Sequence, residues 1–325
     1  MTTFITGSSG FVGLALVERL LAAGETVIGF DRSAPRAQAL QAFAALPGRF
    51  VALTGDVRDG NALREAMRTH RPSRLVTLAA ITADAQRERQ MPQTIFEVNV
   101  GGVLAAIAAA ADAGVERILH GSSGSAYGLS GRAPHQLVED ITPLLPEGLY
   151  GISKRAAEEA ALRLSALHGV PLVIGRLGTC FGPWEADSGV RDTLSAPLQV
   201  LSKARRGETA VLPRAGRRDW LYVRDAVSAL LALLEAPHLS RSVYNLAAGF
   251  EWSVADLCER LARRYPAFTW RIAQHDEASN IDYFADYDRA SMDNTRLVAD
   301  TGFAPLFDLA EAEADFYHWI TALGA

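Results

Sequence analysis

A chain of 325 residues, 49% hydrophobic and 21% charged, is long enough to bury a sizeable core, either as one large α/β domain or as a nucleotide-binding domain with a smaller companion. The net charge of -5 offers no general attraction to nucleic acid or to an anionic membrane, which sets both aside as partners. No basic leader opens the chain, no apolar run reaches the ~18 residues of a membrane span, and Cys180 and Cys258 form no metal-ligand spacing, so a cytoplasmic protein with free thiols and no metal is expected.

In chain order, the run Thr3 to Thr6 reads as a strand, and Gly7-Ser8-Ser9-Gly10-Phe11-Val12-Gly13 after it opens a helical pattern with Leu14, Val17, Leu20 and Leu21 on one face. Glycines at i, i+3 and i+6 let the backbone turn tightly and approach a pyrophosphate, with the helix N-terminus facing the anion. Gly7, Gly10, Phe11, Val12 and Gly13 are therefore candidate cofactor contacts. The next strand, Thr26 to Phe30, ends at Asp31, 18 residues beyond Gly13, near the spacing at which an acidic side chain bonds an adenosine ribose. Its charge would repel a 2′-phosphate and favours NAD, while Arg32 leaves room for NADP.

Further strand and helix patterns follow through Phe50 to Leu53, Leu63 to Met67 and Arg74 to Leu78, and their alternation predicts a parallel sheet. Ligand contacts in such a sheet come from the carboxyl ends of strands, which nominates Asp56 and Val57 at the adenine and Ala79, Ala80 and Ile81 along the cofactor. Asp56 reads equally as a helix N-cap. Pro92 to Gly114 is an Ala-rich helical stretch in which Asn99, from spacing alone, is a helix-interior amide facing water.

After the strand Val115 to His120 comes the polar run Ser122-Ser123-Gly124-Ser125-Ala126-Tyr127-Gly128, whose hydroxyls could hold a substrate oxygen. Tyr150-Gly151-Ile152-Ser153-Lys154 then places a phenol and an ammonium four residues apart on one helix face. A phenol needs nearby positive charge to serve as a general base near neutrality, and Lys154 can supply it.

Taken together, T-G-x-x-G-x-x-G at Thr6 to Gly13, Asp31, G-D-V-R-D at Gly55 to Asp59, L-A-A at Leu78 to Ala80, Asn99, S-S-x-x-A-Y-G from Ser122 and Y-x-x-x-K at Tyr150 resemble the extended short-chain dehydrogenase/reductase family, the NAD-dependent epimerase/dehydratases. The later runs Arg176 to Pro183, Arg218 to Asp225 and Tyr244 to Gly249 look like its further landmarks. The resemblance implies a Rossmann-type doubly wound parallel sheet over residues 1–170 with returning C-terminal segments, and a smaller, mainly substrate-binding domain over 171–325. It implies Ser123 as the catalytic hydroxyl, Tyr150 as base, Lys154 on the nicotinamide ribose, and Asn99 among the cofactor residues. The shared chemistry is reversible oxidation of a sugar C–OH by NAD.

Dehydratases of this family commonly place an Asp-Glu pair after the catalytic Thr, where this chain has Gly124-Ser125, which disfavours dehydration. Sugar-nucleotide members usually carry an Asn where Thr179 stands, and an Arg ahead of a D-x-x-K/R-A element, here Asp286 to Ala290 preceded by Asn280 to Tyr283 without that Arg. Arg-Leu-Gly-Thr also resembles a run of the family's uronate dehydrogenases. Ser123, Ser125, Thr179, Arg191 and Arg218 are candidate substrate residues, Arg217 a further cation, and Trp184 to Asp192 a candidate lid. The expectation is an NAD-dependent epimerase of a sugar or sugar nucleotide, with a sugar-acid dehydrogenase or a non-catalytic NAD(P) sensor as alternatives, assembled as a homodimer through the Ala-rich helix near Gly102 to Ala111 and the helix after Tyr150.

Overall fold

The computed structural model describes residues 1–186 and 193–323. Strands β1 (Thr2–Thr6), β2 (Thr26–Asp31), β3 (Arg49–Thr54), β4 (Arg74–Thr77), β5 (Arg117–Ser123) and β6 (Leu172–Leu177) alternate with helices α1 (Phe11–Ala22), α2 (Ala37–Ala44), α3 (Gly60–His70), α4 (Ala85–Gln90), α5 (Pro92–Phe96), α6 (Gly102–Asp112) and α7 (Leu149–His168). Beyond them come β7 (Cys180–Phe181), α8 (Ala196–Arg206), β8 (Thr209–Leu212), β9 (Arg217–Arg218), β10 (Leu221–Tyr222), α9 (Val223–Glu235) and β11 (Val243–Leu246). The chain continues through β12 (Trp252–Ser253), α10 (Val254–Arg264), β13 (Thr269–Ile272), α11 (Thr295–Thr301) and α12 (Leu309–Leu323).

Seven strands make one sheet in the order β11-β6-β5-β4-β1-β2-β3, and every neighbouring pair is parallel. Parallel neighbours need crossover helices, which cover both faces, so the central strands are apolar on both sides. One face is closed by α1 and α9 over Ile5, Leu119, Val173 and Leu246. The other is closed by α3, α6 and α7 over Phe4, Ile28, Leu75 and Ile118. A separate apolar cluster joins Phe181, Val200, Leu212, Trp252, Leu257 and Phe316 in the C-terminal part.

The strand order reverses between β1 and β4, which opens a crevice outside their carboxyl ends. The Leu78 amide donates to the Thr6 carbonyl at 3.0 Å, so the exits of these two strands leave the sheet side by side. From Pro92 to Asp112 the chain is one helical run, long and apolar enough by length and composition to cross a bilayer. Here it packs as a core helix against α3 and α7. Its middle, Glu97–Gly101, is a π-helical turn, which neither apolar spacing nor propensity predicts.

Candidate active site

The glycine loop fits a dinucleotide by steric subtraction. Gly7 has φ 74°, and a Cβ there would lie 2.5 Å from the Ala79 nitrogen; a Cβ on Gly13 would lie 2.1 Å from the Gly7 carbonyl oxygen. Any side chain at either position would separate the loop, α1 and the β4 exit, which now pack backbone to backbone. Gly10 brings no side chain to cap α1, as suits a first turn that faces an anion. Phe11 and Val12 lie half-buried in that turn, and Ala79 and Ala80 half-buried at the β4 exit.

Asp31 accepts hydrogen bonds from the Ser9 and Ser33 amides, each at 3.0 Å, so its carboxylate ties the glycine loop to the end of β2. Arg32 beside it is exposed. Asp56 does not cap α3, a role taken by Asp59, whose carboxylate accepts from the Asn61 and Ala62 amides. The Asp56 carboxylate is gripped by the Arg58 guanidinium at 2.7 Å, which holds it below the usual carboxylate range. Val57 is buried against Gly102, where a Cβ would come within 2.6 Å of its methyl carbon.

Tyr150 and Lys154 stand one turn apart on α7. The Lys154 side chain is buried, donates at 2.8 Å to the Gly121 carbonyl on β5, and lies 5.8 Å from the centre of the Tyr150 ring. Ser123 ends β5, and its hydroxyl accepts from the Ser125 amide at 3.1 Å and donates to the Ser125 hydroxyl at 3.2 Å. Because side chains alternate along a strand, Ser122 faces the other way. It donates to Glu158 at 2.5 Å and is 2% exposed, so of the hydroxyls in this polar run that of Ser122 is turned away from the cleft.

Glu158 lies four residues after Lys154 and forms a buried ion pair with Arg176 at 2.7 Å. Arg176 also donates to the Tyr127 hydroxyl at 3.0 Å, and Tyr127 donates to Asn245 at 2.9 Å. This network locks β5, β6, β11 and α7 together beneath the site. The spacing of Glu158 from Lys154 was its available signal; its partner, 18 residues on, was not. His120, on the same side of β5 as Ser122, sits with Nδ1 2.8 Å from the Thr77 hydroxyl oxygen. Burial, and then the charge of Lys154, hold it well below the ordinary imidazole value, so it is neutral.

Asn99 is fully buried, which corrects both the water-facing amide and the direct cofactor contact. The π turn rolls it inward, where its carbonyl oxygen accepts from the Ile81 amide at 2.8 Å. Its amide donates to the Ile81 carbonyl and, at 2.9 Å, to the Ser153 hydroxyl. Ser153 in turn donates to the Tyr150 carbonyl at 2.8 Å, so Asn99 fixes the first turn of α7 rather than touching a ligand.

On the substrate side, Thr179 is half-buried after β6, and its carbonyl accepts from the Leu221 amide at 3.0 Å. Arg218 is buried and stacks on Trp220. It donates to the Tyr287 carbonyl at 3.2 Å, has no carboxylate partner among the described residues, and is pushed down to about 10 by burial. Arg217 is exposed and paired with Glu251, so it is not the spare cation the sequence offered. Arg191 lies outside the described residues, with most of the candidate lid. The lid's first residue, Trp184, is no surface group: it is 1% exposed, donates to Glu18 at 2.9 Å and packs on Phe43 and Trp319.

The family described as the NAD dependent epimerase/dehydratase family matches residues 3–247. A UDP-glucose 4-epimerase of Mycolicibacterium smegmatis is 29% identical, with 97% of this chain and 96% of the relative covered. A dTDP-glucose 4,6-dehydratase of Xanthomonas campestris is 24% identical, with 98% and 92% covered. The solved structure of a UDP-glucose 4-epimerase from Thermotoga maritima, with UDP-glucose, superposes with a TM-score of 0.82 over all of both chains at 21% identity, a likeness of fold.

Proposed function

The chain belongs to the NAD-dependent epimerase/dehydratase family, and from that premise we propose that it is an NAD-dependent sugar epimerase acting through a transient keto sugar, with a nucleotide sugar as substrate. Support for redox chemistry comes from the convergence of Ser123, Tyr150 and Lys154 at the carboxyl end of β5. The observation that carries the choice of epimerase over dehydratase is the space at Gly124. Gly124 carries no carboxylate to remove water, and a Cβ there would meet Nη1 of Arg289 at 2.4 Å and Sδ of Met292 at 2.8 Å, so a side chain enters after Ser123 only if those two ends move aside.

Tyr150 accepts the proton of the sugar hydroxyl, and Ser123 donates a hydrogen bond to the oxygen that becomes the carbonyl. Lys154, oriented by the Gly121 carbonyl, sets positive charge beside the ring, the partner a phenolate needs. Bound NAD supplies the acceptor for the hydride of the same carbon and gives it back. The sugar turns between the two transfers, Tyr150 returns its proton, and the net oxidation state is unchanged.

The test incubates the protein with NAD and a panel of nucleotide sugars, uronic acids and aldonic acids, following NADH absorbance and substrate stereochemistry. A stereoisomer without accumulated NADH is the expected result. Stoichiometric NADH with one of the acids would replace the epimerase with a dehydrogenase, and NAD binding with neither change would replace it with a sensor.

A further inference from the structure

Arg289 was not among the residues the sequence nominated, yet its side chain packs against Gly124, the residue after Ser123. It is accommodated by two glycines: a Cβ on Gly131 would lie 2.6 Å from its Cγ, and a Cβ on Gly124 would lie 2.4 Å from its Nη1. The side chain is 12% exposed, and its Nε is buried without an acceptor among the described residues. Its carboxylate contact is a long one, 3.4 Å from Nη2 to Asp219. That carboxylate is shared, since Asp219 also accepts from the Met292 amide at 2.9 Å. Arg218 is the other cation of the cluster, and its Nε is likewise buried without an acceptor among the described residues. The charge of Arg289 adds to the burial that lowers Arg218.

Arg214 beside them is paired with Asp288 at 2.8 Å, so among the described residues two guanidiniums share one buried carboxylate, each with a donor unused. Removing charge from water costs several kcal/mol per ion unless a counter-charge compensates it, so a surplus buried cation is what a site for an arriving anion looks like before the anion is bound. The two cations are not equivalent in place. Arg289 faces the position directly after Ser123, where a Cβ would meet its Nη1, so an anion on Arg289 lies beside the residue that holds the reacting oxygen. A group that close is carried by the reacting ring itself.

We propose that Arg289 is the specificity-determining residue for a carboxylate on the reacting sugar, so that the substrate is a uronate. The inference rests on the epimerase reading only in taking Ser123 to mark the reacting carbon. A planar guanidinium meets a carboxylate through two parallel hydrogen bonds, and a neutral hydroxymethyl group in its place leaves the donors unmatched. The carboxylate can arrive on a free uronic acid or on a nucleotide-linked one; the chemistry at Arg289 is the same for both.

The experiment measures equilibrium binding by calorimetry to the NAD-loaded protein, in a Tyr150→Phe background that stops turnover. The four probes are UDP-glucuronate, UDP-glucose, glucuronate and glucose. In whichever series binds, the acid is expected to bind at least tenfold tighter than its neutral partner. Arg289→Met is expected to erase that preference while leaving NAD affinity in place, and Arg289→Lys to restore part of it. Should Arg289→Met fail to fold, Gly124→Ala tests the same contact by pushing the guanidinium aside, with the same selective loss expected. No preference for the acid, or a preference that survives both Arg289→Met and Gly124→Ala, overturns the proposal. Efficient epimerisation of UDP-glucose by the wild type without acid preference overturns it and leaves the epimerase standing. An Arg289-dependent acid preference with no conversion of any sugar supports the carboxylate site and removes the epimerase.

Discussion

Tyr150 and His120 show at the residue scale how the same small region sets both chemistry and stability. Replacing Tyr150 with Phe removes the proton acceptor at nearly constant volume, so turnover is expected to fall by ~100-fold or more with NAD affinity retained, read from initial rates and a cofactor titration. Near-full activity would remove Tyr150 from the mechanism. His120 carries no such role but is buried and held neutral, its Nε2 without a partner among the described residues. Its folded-state value lies below the ordinary imidazole value, so below about pH 6.5 the unfolded chain binds a proton that the folded one refuses. The stability concerned is present above that pH and lost as pH falls, at up to ~1.4 kcal/mol per pH unit. Urea unfolding at pH 7.5 and 5.5 should therefore show the wild type losing about 1 kcal/mol more than His120→Asn, which keeps a polar partner for Thr77. Equal losses would show that His120 does not govern this slope.

At the scale of elements, the glycine loop and the π turn do opposite jobs with the backbone. The loop gives up side chains so that α1 can close on β1 and β4, and Asp31 at the end of β2 holds it through the Ser9 amide. A carboxylate in that place should repel a 2′-phosphate, so NAD is expected to bind at least tenfold tighter than NADP, ~1.4 kcal/mol by calorimetry. Equal or reversed affinities would detach Asp31 from cofactor choice. The π turn instead inserts a residue's worth of backbone so that Asn99 points into the protein and, through Ser153, steadies the turn that carries Tyr150. The glycine spacing was legible because it needs only neighbours in sequence. The π turn was not, because what fixes it is Ile81 and Ser153, 18 and 54 residues away.

For the whole molecule, α6 and α7 each leave a strip of apolar, mostly small residues partly exposed, flanked on α7 by the exposed Arg155–Glu159 pair. Leu104 and Ala108 are partly exposed on one, and Ala156 and Ala160 on the other, with Ile152 at 37%. Small residues allow close approach of helices, and two copies are expected to pair through this face, giving a solution mass of about twice 34.9 kDa. A monomeric mass by light scattering at micromolar protein would contradict it, and Ala160→Arg should shift a dimer toward monomer. The C-terminal half is interleaved with the first: β11 forms one edge of the large sheet, and Asn245 on it joins the Arg176 network under the site.

The sequence by itself determined the parallel sheet, the glycine loop with Asp31, and the Tyr150 and Lys154 pair, because each is written in local spacing: period-2 and helical apolar patterns, glycines three apart, and a phenol and ammonium one turn apart. Tertiary structure alone decided which polar groups face the cleft. Alternation along β5 turned Ser122 toward Glu158 and left Ser123 at the site; the π turn withdrew Asn99; burial took Trp184 out of the lid. It also brought Arg289 against Gly124 from 165 positions away, a contact no spacing rule reaches. The physical reason is the same throughout: backbone preference acts between near neighbours, whereas the direction of a side chain and the charge it must match depend on which distant segment packs against it.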